Sequence, residues 1–372
     1  MKIYYYAYTN KGNLGDLLIT KYQIEEYAKY CDVYVDCHGM PPDFCHVIFD
    51  TTSPNIKNFE HEYGIYFRSI NIFKIIQILN RQGFTHFCDS PGPRVPLRWP
   101  LHRMLIKLAR LSIPNFFLSK KIIRISLGVD LYFNHHNIFS RLNKWNFNQN
   151  DVLGIRSKPN LAILQNVFRN VCYTPDMAFL YPKYKSCFFE SKRNRIALSF
   201  KFVKNYDNLI KAIQVLGEFA ENHQLEIDIL FQVDEDEYVC KKLYQDLEQY
   251  HIHFIEKPID FYSLCTYQKY DVVISNRLHV LLMATMNGAI PLGLISHNRM
   301  ENKIKDIFDS IFERQLVSYI EDFNEHTLPP IFNNIDIIKK EICACVETQR
   351  NLCSFTFANL FQSSPINKNN YV

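Results

Sequence analysis

The sequence predicts an α/β protein of two Rossmann-like domains facing a cleft. Short apolar or aromatic runs alternate with segments of helical spacing, the mark of βαβ units on a mostly parallel sheet. The alternation restarts near residue 190. The chain has 372 residues, enough for two hydrophobic cores at roughly 150 residues per domain. The expected division is an N-terminal, acceptor-side domain over 1–185, a C-terminal, donor-binding domain over 186–345, and a partly frayed tail over 346–372.

In the first half, residues 2–8 (KIYYYAY) read as a buried strand. Residues 16–30 place Leu17, Leu18, Tyr22, Ile24 and Tyr27 near helical spacing. Residues 31–37 alternate like a strand, 72–80 read as a helix and 85–88 as a short strand. Residues 122–127 form another strand, ending at Gly128. In the second half, strands are expected at 195–200, 227–231, 253–255, 272–274 and 291–295. Helices are expected at 208–223, 238–250 and 261–267, and an apolar helix follows the polar turn after 272–274 and runs through Met286. The acidic run Asp234, Glu235, Asp236, Glu237 resembles a metal-binding DxD but reads as a solvated loop ahead of the helix at 238.

Composition removes several classes. An apolar fraction of 47% with 22% charged residues excludes a disordered chain, a collagen-like repeat and a coiled coil. A net charge of +4 is too weak to argue for nucleic acid. The 11 cysteines form no CxxC pair, which leaves no zinc ribbon or thioredoxin-type site; they read as reduced thiols. No metal site is expected; Cys343 and Cys345 are read as thiols. The N-terminus lacks the apolar core of a signal peptide, and no window offers the ~18 apolar residues of a membrane span. A cytoplasmic location follows as the expectation.

Residues 90–129 break the charge balance, with no Asp or Glu but eight bases. Three of these, Arg103, Lys107 and Arg110, fall on one side of an expected helix over 101–111, largely opposite Met104, Leu105 and Leu108. A basic amphipathic helix fits an anionic membrane surface or a lipid-linked phosphate.

Four segments could carry chemistry. Between the first strand and first helix lies Lys11-Gly12-Asn13-Leu14-Gly15-Asp16. Its glycines admit close backbone approach, and it is not the GxGxxG of dinucleotide binding. Asp16 reads either as a helix cap or as a carboxylate that takes a proton from a sugar hydroxyl. The second is Ser275-Asn276-Arg277-Leu278-His279, at the carboxyl end of a buried strand, where open parallel sheets bind ligands. Its arginine suits a carboxylate or phosphate and stays charged; its histidine moves a proton near neutral pH. The third is Gly154-Ile155-Arg156-Ser157, whose arginine could face the same cleft. The fourth is Lys303, read either as a solvated helix lysine or as a phosphate contact.

Together these segments resemble the polysaccharide pyruvyl transferase family, over about residues 13–308. The most specific part is SNRLHVLLMATMNGAIPLGL at 275–294, followed by Lys303. LGIRSKPNLAIL at 153–164, YTPDMAFL at 173–180, and Asn13-Leu14-Gly15-Asp16 are similar to further family segments. The resemblance implies a glycosyltransferase-B-like fold, phosphoenolpyruvate as donor substrate with no cofactor, and a sugar of a cell-surface glycan intermediate as acceptor, lipid-linked or polymeric. It implies that Arg156, Arg277, Leu278, His279 and Lys303 bind the donor, with His279, Arg277 and Asp16 catalytic. Asn13, Gly15, Asp16 and Arg94 would lie on the acceptor side. Many members carry a Gly-rich turn where this chain has Cys88-Asp89-Ser90-Pro91-Gly92-Pro93-Arg94, which alters the expected acceptor wall. The alternative is a glycosyltransferase of the same fold using a nucleotide sugar. Either enzyme would work at the inner face of the cell membrane, touching it through Arg103, Lys107 and Arg110, with no nucleic-acid partner.

Overall fold

A computed structural model describes residues 1–9, 12–67, 71–93, 113–114, 116–131, 138–182, 194–297 and 299–362. The expected basic helix over 101–111, and Arg94 with it, lies outside these residues. The chain divides into two compact units. The first comprises Met1–Lys11, Asp16–Leu180 and Asn351–Val372; the second comprises Gly12–Gly15 and Tyr181–Arg350. The chain thus returns to its first unit at residue 351 rather than trailing off after 345.

The first unit is a parallel sheet. Its strands are β1 (Lys2–Tyr8), β2 (Asp32–Gly39), β3 (Ile56–Asn58), β4 (His86–Asp89), β5 (Gly92–Pro93), β6 (Ile123–Asp130), β7 (Val152–Ile155) and β8 (Val171–Tyr173). They lie in the order β3-β2-β1-β4-β6-β7-β8, with β5 paired to β6. Helices α1 (Leu14–Ala28), α2 (Pro42–Phe49), α3 (Phe59–Tyr63), α4 (Ile72–Arg81), α5 (Ile138–Phe147) and α6 (Lys158–Leu164) belong to it. The central strand β1 is buried on both faces, with Ile3, Tyr4, Tyr5 and Ala7 wholly excluded from solvent, so it reads as a continuous apolar run. The abundant aromatics fill one core: Tyr4 meets Phe59 edge-on at 4.7 Å and Tyr34 meets Phe84 at 5.2 Å. The expected stop at Gly128 is a bulge instead. Gly128 adopts φ +65°, the β6–β7 register shifts between Ser126 and Val129, and the strand runs on to Asp130.

The second unit repeats the architecture. Strands β9 (Arg195–Ser199), β10 (Glu226–Ile229), β11 (Ile252–Phe254), β12 (Val272–Ser275), β13 (Ile290–Ile295) and β14 (Val317–Tyr319) lie in the order β11-β10-β9-β12-β13-β14, all parallel. This doubly wound order puts the topological switch point between β9 and β12, whose outgoing chains turn opposite ways. The helices are α7 (Tyr206–His223), α8 (Asp234–Asp246), α9 (Leu278–Met286), α10 (Arg299–Ile311), α11 (Pro329–Phe332) and α12 (Ile335–Gln362). Residues 234–237 are the first turn of α8, not a loop ahead of it; four carboxylates there complement the helix dipole.

The expected frayed tail is also corrected. Helix α12 runs 28 residues to Gln362. Its end packs into the first unit, where Phe357 meets Tyr27 at 4.8 Å and Phe361 meets His86 at 5.2 Å.

Candidate active site

The second unit's switch point gathers most of the expected chemistry. Strand β12 ends at Ser275, and Arg277 two residues later is the N-cap of α9. That helix start carries no side-chain cap, and the positive end of its dipole, at Leu278, favours an anion. The Ser275 hydroxyl accepts from the Arg277 backbone N–H at 2.9 Å and fixes the turn.

The Arg277 side chain is aimed from behind. Asp236, in the first turn of α8, accepts from its Nε at 2.6 Å and from its Nη2. The carboxylate is 2% exposed while the guanidinium is 23% exposed, so negative charge lies inside and positive charge fronts the solvent. Burial pushes the Asp236 pKa up, and Arg277 pulls it partly back.

A second pair repeats this polarity. Lys201, two residues beyond β9, lies 3.6 Å from Glu301 in the first turn of α10; the carboxylate is 4% exposed and the lysine 28%. Glu301 also accepts from the Ser296 N–H at 2.7 Å. Asn276, wholly buried, ties the elements together. Its Oδ1 accepts from the Lys201 N–H at 2.9 Å, and its amide donates to Glu301 at 3.5 Å. Burial lowers the Lys201 pKa, the facing Glu301 raises it, and Arg277 lowers it further. The switch point thus presents two cations beside an uncapped helix start, an arrangement that holds an anion with more than one charged oxygen.

His279 follows on α9, half-buried. A Cβ added at Gly15 would fall 2.1 Å from its Nδ1, so only glycine at position 15 admits the ring. Gly12–Gly15 groups with this unit. The Asn13 side chain caps α1: its Oδ1 accepts from the Gly15 N–H at 3.1 Å. Asp16 lies one residue on, buried. Lys303 sits half-buried on α10.

Arg156 is the correction. It follows β7 in the first unit and is 1% exposed. Its Nε donates to Asp130 Oδ1 at 2.8 Å, and its Nη groups engage the other Asp130 oxygen and Asp176. Two carboxylates surround one buried guanidinium, which faces them rather than solvent. Asp130 ends β6 and Asp176 lies beyond β8, so Arg156 clamps three strand ends together.

The sequence analysis missed Lys201, Asp236, Asn276 and Glu301. Asn276 and Asp236 lay within quoted segments, but each gains its role from a partner dozens of residues away. No group of three or more His, Cys, Asp or Glu is arranged to hold a metal among the described residues. No described helix is long and apolar enough to cross a membrane.

Comparison with known proteins follows the same lines. A family model described as polysaccharide pyruvyl transferase matches residues 13–298. No curated protein matches the chain by sequence. Among solved structures, the UDP-GlcNAc 2-epimerase of Neisseria meningitidis bound to UDP-GlcNAc is similar in fold, with TM-score 0.60 at 12% identity, covering 98% of this chain and 100% of that one. A putative UDP-N-acetylglucosamine 2-epimerase from Listeria monocytogenes gives 0.59 at 10% identity, covering 96% and 94%. The lipopolysaccharide outer core galactosyltransferase WaaB gives 0.54 at 11% identity, covering 97% and 99%. At such identities these likenesses establish the fold, of the glycosyltransferase-B type.

Proposed function

The chain belongs to the polysaccharide pyruvyl transferase family, and from that premise we propose that it moves the enolpyruvyl group of phosphoenolpyruvate onto a sugar of a cell-surface glycan intermediate, forming a pyruvate ketal. It is a transferase. The observation that carries the donor assignment is the switch point of the second unit, where Arg277 is held bidentately by buried Asp236 beside Lys201 and an uncapped helix start. Phosphoenolpyruvate presents a carboxylate and a phosphate on a three-carbon frame. An always-charged planar guanidinium, a lysine and backbone N–H groups from Leu278 onward suit those two anions. Lys303 adds a further cation from α10.

The chemistry then needs a proton for the donor's methylene carbon and a sugar hydroxyl at C2. In this reading His279 delivers the proton, and Asp16, beside Gly15, takes one from the attacking hydroxyl. Phosphate leaves from C2 and a second hydroxyl of the same sugar closes the ring, so one phosphate is released per ketal formed. Arg277 and Lys201 stabilise the charge on the departing phosphate. The reaction as read takes place on the cytoplasmic side of the cell.

The test is thermal stabilisation by phosphoenolpyruvate beside a panel of nucleoside diphosphates and nucleotide sugars. A ligand at ~100 times its Kd adds about 2.7 kcal/mol. Stabilisation by phosphoenolpyruvate, lost in Arg277→Ala, is the expected result. Stabilisation by a nucleotide alone would replace this reading with glycosyl transfer from a nucleotide sugar.

A further inference from the structure

The first unit carries an exposed aromatic cluster that its core does not use. On α4 the inner residues Ile72, Ile75, Ile76 and Leu79 are buried. The outer face shows Phe73, Lys74, Gln77, Asn80 and Arg81, all exposed. Asn80 fixes the neighbouring turn: its amide donates to the Phe117 carbonyl at 3.1 Å, and its Oδ1 accepts from the Ser119 N–H at 2.8 Å. Phe117 then meets Phe73 at 5.3 Å, and Phe116 meets Trp145 of α5 at 4.7 Å. Phe73 is 57% exposed, Phe116 68%, Phe117 54% and Trp145 38%. Four large rings facing water, in contact pairs on three neighbouring segments, make a patch rather than scattered surface residues.

The charge carried by these segments has one sign, and Asp151 beyond them accepts from the Arg124 N–H at 2.9 Å. Segments 72–81, 113–124 and 138–147 contain no Asp or Glu, but they contain Lys74, Arg81, Lys120, Lys121, Arg124, Arg141 and Lys144. Lys120 and Lys121, directly after the Phe116–Phe117 pair, are exposed. Aromatic rings settle at the level of lipid headgroups, and lysines beside them meet the lipid phosphates. A dimer contact would not need such exclusive positive charge; an anionic surface does.

We propose that this aromatic and basic face of the first unit docks on the surface of an anionic phospholipid membrane. None of the residues named for this surface belongs to 101–111 or to the donor site. Docking would hold the enzyme at the plane where a lipid-linked acceptor is presented.

The experiment uses the full chain carrying Trp99→Phe, so that Trp145 is the one fluorescent tryptophan. It is mixed with vesicles of phosphatidylglycerol and phosphatidylcholine, and with vesicles of phosphatidylcholine alone. The expected result is co-sedimentation with the anionic vesicles, a blue shift of Trp145 and its quenching by brominated acyl chains. Binding should fall about ten-fold or more in Phe116→Ser/Phe117→Ser, with an unchanged melt because both rings are exposed. It should fall roughly thirty-fold in Lys120→Glu/Lys121→Glu, at about 1 kcal/mol per lysine near the surface. Three results would overturn the proposal: equal binding by the serine variant, a wild-type dimer that the serine variant dissociates, or binding of single-stranded RNA with none of anionic vesicles.

Discussion

Arg156 and Arg277 both stand just past the carboxyl end of a buried parallel strand, and the molecule uses them in opposite ways. Arg156 is sealed between Asp130 and Asp176. Among the described residues Arg277 is braced by Asp236, and it keeps part of its side chain in solvent. Position at a strand end and residue type are therefore insufficient to mark an anion site. The deciding quantities are how many carboxylates share the guanidinium and which side of it they occupy. Two carboxylates around a buried arginine make a clamp; one carboxylate behind a half-open arginine leaves it a face to offer an anion.

The largest expected effect comes from breaking the clamp. Arg156→Ala removes the guanidinium that two buried carboxylates share and should cost about 3–5 kcal/mol of stability, read as a collapse of the thermal melt whether or not donor is present. A melt close to wild type would return Arg156 to the donor site.

Arg277→Ala should instead lower turnover by about 10²–10³-fold, the scale of removing one transition-state donor, while a cooperative melt survives. The loss of stability should shrink as pH falls. Burial already raises the Asp236 pKa, so the orphaned carboxyl takes up a proton in the folded state at acidic pH and then needs no partner. A deficit that grows on acidification would contradict this.

Gly15→Ala comes next. The added methyl would displace His279, so kcat should fall about 10²-fold or more with little change in donor affinity. Equal loss of donor binding would mean that His279 holds the donor rather than moving a proton.

The smallest expected effect is an alkaline one. Lys201 has its pKa lowered by burial, so it loses its charge below the ordinary lysine range. Donor affinity should decline on the same limb, and Lys201→Arg should move that limb upward. An unmoved limb would leave Lys201 as Glu301's partner only.

Much of the fold was legible because its strands are buried on both faces. Runs such as IYYYA and VVIS announce themselves by hydrophobicity alone, and SNRLH stands out as polar residues between two such runs. The β6 bulge was not legible: Gly128 reads as a terminator, and only its pairing with β7 shows that the strand continues. Asp236 was misread because four consecutive acidic residues look solvated. Its burial is set by Arg277, 41 residues later, and no local pattern carries that distance. Arg156 misled for the same reason in reverse, since the two carboxylates that enclose it lie 26 and 20 residues away, at the end of β6 and beyond β8.

The return of α12 to the first unit bears on how the protein is made. Tyr27 and His86 leave the ribosome well before their aromatic neighbours Phe357 and Phe361. The first unit therefore waits, with part of its core uncovered, while the whole second unit is synthesised and can fold ahead of it. Strict domain-by-domain completion during translation is therefore not open to the first unit, because the residues that cover Tyr27 and His86 follow the second unit in the chain.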